Sequence, residues 1–235
     1  MVRDIREDFE SLLGFVANYD LSGHLQNSQY VKLLSSLHKR YFAILTLGAE
    51  MSHQRLAAAA DNVQNEEFER RFREAASDLG SSLFAWVHGA YKPARVVLRS
   101  GIENFIKAVG SIEFPQVVSM KKVWEIFDLV FELPFYKASV AHRELFLTLT
   151  SYYAEMNLDV HTATSDEMQH VSALGHFPHF DAVQAADFDI AYRNVVDAMV
   201  TTLCLMYPNF YREMHFRNRD IVMFSFSAEA KLELA

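Results

Sequence analysis

Apolar residues recur at intervals of three and four along nearly the whole chain, the spacing of one face of an α-helix. Ile5, Phe9, Leu12, Leu13 and Val16 place an amphipathic helix over residues 3–18. A polar break, NYDLSGHLQNS, separates it from a long helical region running from Tyr30 to about Val63 on Leu33, Leu34, Leu37, Tyr41, Ile44 and Leu45. Asn62 to Asn65 interrupts the pattern, and a charged helix that turns apolar follows from Glu66 to Tyr91. Pro93 falls where the first turn of a helix tolerates it, predicting a new helix to about Val109 with Gly110 placed to cap its end. Leu98, Ile102, Phe105 and Val109 make that helix the centre of the core.

Further along, Phe114-Pro115 opens a turn, and a shorter helix is interrupted at Pro134. The next helix carries Leu145, Phe146, Leu149, Tyr152, Tyr153, Met156 and Val160 and ends near His161. Thr164 and Glu167 match a capping box, and the loop GHFPHFDAVQAAD precedes a helix over 185–206. Pro208 starts a last short helix. The tail IVMFSFSAEAKLELA alternates like a strand but has no partner strand in the sequence, so an extended segment or a contact with another chain is expected. The pattern predicts one all-α bundle of about seven to nine helices over 1–220, followed by an extended tail over 221–235.

Composition sharpens this. With only 8 Gly and 5 Pro in 235 residues, a many-turned β-sandwich is disfavoured, while 19 Phe and 10 Tyr supply a substantial core. The net charge of −8 argues against broad, non-specific binding of nucleic acid or anionic membrane, though it leaves room for a local basic site. The single cysteine, Cys204, excludes an internal disulfide and sits in an apolar helical run where an inert buried thiol is expected. An acidic N-terminus and the lack of any apolar run near ~20 residues predict a cytoplasmic chain with no membrane contact.

Phosphate-binding glycine loops, GxSxG elbows, HExxH pairs and kinase signatures are absent. His161, His170, His176 and His179 are the obvious metal candidates. They lack the i,i+3 or i,i+4 pairing of helical metal sites, so no metal and no cofactor are expected. The strongest candidate chemistry is the column Arg95, Arg99, Glu103 and Lys107, four residues apart on the central helix. Such a column is either a surface ladder or the wall of a site, because charges on a central helix must be paired or face a cleft. His161, at a helix end, could accept a proton while Arg99 holds a phosphate, the minimum for metal-independent RNA cleavage.

The phrases LRSGIENF at 98–105 and SYYAEMNLDVHTAT at 151–164 resemble the HEPN-like helical proteins of prokaryotic toxin–antitoxin and antiviral systems. The resemblance covers roughly residues 70–170. It implies an all-α fold, dimerisation, and binding or metal-independent cleavage of RNA. Arg99, Glu103 and His161 would be the catalytic residues, with Arg95 and Lys107 contacting phosphate. The family's catalytic signature, arginine followed four to six residues later by histidine, is absent; the nearest match is Arg212-Glu-Met-His215. The alternative is a non-catalytic helical subunit that assembles with itself or with a partner protein. A small-molecule or metal enzyme ranks third.

Overall fold

The computed structural model describes residues 10, 13–16, 18–53, 62–161 and 176–235, with side chains at 53, 62–65 and 159–161 outside the description. The expected N-terminal helix, Thr164–Glu167 and His170 fall largely or wholly outside the described residues. Among the described residues the chain is helical, with no strand. The helices are α1 (Ser28–His53), α2 (Asn62–Val87), α3 (Tyr91–Ser111), α4 (Val123–Phe131), α5 (Pro134–Ala138), α6 (Val140–His161), α7 (Ala182–Met206), α8 (Pro208–Glu213), α9 (Phe216–Val222) and α10 (Ala228–Leu234). None is long and apolar enough to cross a membrane.

The α2–α3 hairpin is the backbone of the bundle. Its turn depends on Gly89, which has φ of 79°; a Cβ there would lie 2.1 Å from the His179 carbonyl oxygen. Asp78 accepts from Asn104 Nδ2 at 3.0 Å, joining the two helices, while Pro93 sits in the first turn of α3 as expected. Leu98, Ile102, Phe105 and Val109 are fully buried, and α3 touches α2, α4, α6 and α7. The central position read from its apolar stripe is therefore correct. Cys204 is buried, and burial raises its thiol pKa far above the ordinary range.

Three local expectations are corrected. Asn62–Asn65 is backbone of α2 rather than a break. Gly110 lies inside α3, not beyond it: a Cβ there would come within 2.4 Å of Val130 Cγ2, so the glycine serves the close approach of α4. The segment 221–235 is not extended, because α9, a 3-10 turn over Met223–Ser225 and α10 occupy it. Val222, Phe226, Ala230 and Leu234 are its buried residues, spaced by four where alternation suggested two. Ser227 caps α10 by accepting from Ala230 N–H at 3.2 Å. Glu233 then meets His142 of α6 at 2.9 Å, so the tail closes on its own chain. Further back, the buried carboxylate Glu50 accepts from Asn218 Nδ2 at 2.6 Å and from His215 N–H at 3.2 Å, fastening α9 to α1.

Candidate functional site

The charged column of α3 faces α6, and the two helices answer each other residue by residue. Arg95 Nη2 donates to Glu155 Oε1 at 2.8 Å. Arg99 Nε donates to Asn157 Oδ1 at 3.1 Å, and its Nη2 donates to the Tyr153 hydroxyl. The guanidinium carbon of Arg99 also stands 4.3 Å from the centre of the Tyr153 ring, a cation–π contact. Lys107 reaches back along its own helix to Glu103, Nζ to Oε1 at 2.7 Å. The Glu103 carboxylate lies close enough to Tyr153 for its charge to act on the phenol. The result is a relay from Lys107 through Glu103 and Tyr153 to Arg99 and Asn157.

The relay has a clear electrostatic bias. It holds two cations and one carboxylate, and Glu103 is engaged by Lys107. Among the described residues, every partner of Arg99 is neutral. Burial raises the pKa of Tyr153; the Arg99 charge pulls it back down while Glu103 pushes it up again. The phenol therefore stays protonated, and its oxygen accepts from Arg99. A half-buried guanidinium held by neutral groups has donors to spare, and its planar fork suits the oxygens of a phosphate or carboxylate.

Arg95 is in a different position. It and Glu155 line a groove of about 450 Å³ with Tyr91, Tyr152, Gln184 and Asp187, whose acidic groups oppose a polyanion. Of the residues expected from sequence, the fold thus joins Arg99, Glu103 and Lys107 in one network and sets Arg95 beside it. His161 lies on α6 one turn beyond Asn157 and two beyond Tyr153 by spacing, and its side chain lies outside the described residues. The loop histidines His176 and His179 meet with ring centres 4.0 Å apart and their planes tilted by 50°, in a separate pocket with Tyr91 and Asp181. Among the described residues no three histidine, cysteine or acidic side chains converge as a ligand set.

Sequence reading missed Tyr153 and Asn157, although a signal for them existed. Tyr153, Asn157 and His161 repeat on α6 the four-residue spacing that singled out the column on α3. It also missed Trp124 of α4, an exposed indole that meets Tyr153 edge-on at 5.9 Å. Compared with known proteins, the chain matches no family model, no curated protein and no solved structure.

Proposed function

We propose that this chain is a HEPN-like helical protein of a prokaryotic defence or toxin–antitoxin system that binds RNA, with Arg99 taking a backbone phosphate. The observation that carries the reading is the company Arg99 keeps. It is half-buried, fixed by the Tyr153 hydroxyl and the Asn157 amide oxygen, and lacks an opposing carboxylate among the described residues. Retaining a half-buried charge with no carboxylate bonded to it costs stability, and an anionic ligand would offset that cost. Glu103, paired with Lys107, adds its charge beside Tyr153.

In the cleaving form of this reading, the ribose 2′-hydroxyl attacks the adjacent phosphorus as its proton passes to His161. The bond to the 5′ oxygen breaks, and that oxygen takes a proton from solvent, leaving a cyclic phosphate and a free 5′-hydroxyl. Arg99 neutralises the charge building on the phosphoryl oxygens. The test is fluorescence anisotropy with labelled RNA, followed by a cleavage assay in EDTA. Arg99→Ala is expected to weaken binding by about 1–3 kcal/mol, and His161→Ala to abolish cleavage while leaving the fold intact. Unchanged affinity on losing Arg99 would overturn the reading.

A second reading, assembly with another copy of the chain without catalysis, is favoured by a separate observation. Val31, Phe42 and Leu45 are exposed on one side of α1, and the exposed Phe224 lies beside that helix, its ring 3.2 Å from Lys39 Nζ. Sedimentation velocity would distinguish it: a dimer broken by Phe42→Glu supports assembly through α1, and a monomer at all concentrations removes it.

A further inference from the structure

We propose that Trp124 is a stacking platform for an unpaired nucleobase, which makes the preferred ligand of the Arg99 face single-stranded RNA. The proposal rests on the RNA reading above and adds the strand class to it. Trp124 is 54% exposed on α4, although indole is among the most costly side chains to leave in water. Two neighbouring rings nevertheless meet it at near-right angles. It meets Tyr153 at 5.9 Å with the planes at 84°, and Phe127 at 5.6 Å with the planes at 87°. Phe127 in turn packs on Tyr153 at 4.9 Å, so the three rings brace one another. The orientation of the indole is thus set before any ligand arrives.

Tyr153 is the link to Arg99. The same ring that touches Trp124 carries the Arg99 guanidinium at 4.3 Å, so the cation and the exposed indole are both neighbours of one phenol. A nucleotide places its phosphate and its base at separate ends, and this pair offers one group to each. The charges near Trp124 are mixed. Lys122 is paired with Glu125 at 2.7 Å, Lys121 and Asp128 are exposed, and Lys107 and Glu103 stand behind Tyr153. They supply no strong field of their own, so affinity at this end comes from stacking. Bases in a duplex are already stacked on one another and present no free face, whereas an unpaired strand can lay a base on the indole.

The experiment compares a short unstructured RNA strand with a blunt RNA duplex, each fluorescein-labelled, against the wild type, Trp124→Ala, Trp124→Phe and Arg99→Ala. Trp124→Ala should weaken single-strand binding roughly 5- to 150-fold and leave duplex binding nearly unchanged. Trp124→Phe should keep much of the affinity, because a smaller ring still stacks. Trp124 fluorescence, read in a Trp86→Phe background, should be quenched by the single strand. Equal losses on both RNAs, or no loss at Trp124 while Arg99→Ala does weaken binding, overturn stacking and leave the phosphate reading standing. If neither substitution changes affinity, or the wild type binds neither RNA, both proposals fall together.

Discussion

Tyr153 carries more of the site than any residue chosen from the sequence. Its ring supports Arg99 and is braced by Phe127 and Trp124, and its hydroxyl accepts from Arg99. Tyr153→Phe keeps the ring and deletes only that hydroxyl, leaving one donor of Arg99 without its partner. Stability should fall by about 1–3 kcal/mol in urea unfolding, and RNA affinity should fall because the guanidinium is no longer aimed. No change in either would mean that Asn157 alone holds Arg99. Gly110 is the second informative residue. Gly110→Ala forces a methyl group toward Val130 and should cost about 1–3 kcal/mol, whereas a glycine serving as a helix cap could tolerate the change at less expense if its φ allowed. Recovery of stability in the double variant Gly110→Ala, Val130→Ala would identify the clash as the cause.

At the scale of elements, the long helices were legible because each buries one stripe over many turns, as α3 does with Leu98, Ile102, Phe105 and Val109. The tail was not. Its first residues alternate in polarity over too short a span to separate a period of two from one of four, and only the surface beneath them decides. Val222, Phe226, Ala230 and Leu234 bury together against the bundle, so Phe226→Ala should destabilise the protein by roughly 3–5 kcal/mol, as for other buried aromatic truncations. A tail that merely trailed from the domain would show no loss in thermal unfolding. The site divides in the same way. The column on α3 could be read from its spacing, but Tyr153 and Asn157 lie more than fifty residues away, and nothing local in α6 states which of its faces meets α3.

On the scale of the whole molecule, charge and pH set two constraints. His24, His88, His176 and His179 gather where the segment around Tyr19–Asn27, the Gly89 turn and the loop before α7 meet, and the Tyr19 hydroxyl lies 2.5 Å from His88 Nδ1. Burial, and then the neighbouring histidine, lower the pKa of His88 and of His179 below 6.5, with Asp181 opposing the shift at His179. The unfolded chain therefore takes up these protons first, and stability should decline as pH falls through about 6.5, levelling once the folded-state values are passed. Asp197 works in the opposite sense, because burial raises its carboxyl pKa, but it does so from the carboxylate range. Urea midpoints on either side of pH 6.5 check this, and His88→Gln should flatten the dependence. The second constraint is the net charge of −8, which requires any RNA contact to be local and few in phosphates. The most direct test of the Arg99 phosphate contact is thus the salt dependence of single-strand affinity for the wild type and Arg99→Ala. Loss of one phosphate contact should weaken binding at every salt concentration and make the slope of log K against log salt shallower by about 0.7. Parallel slopes with equal affinities would contradict it.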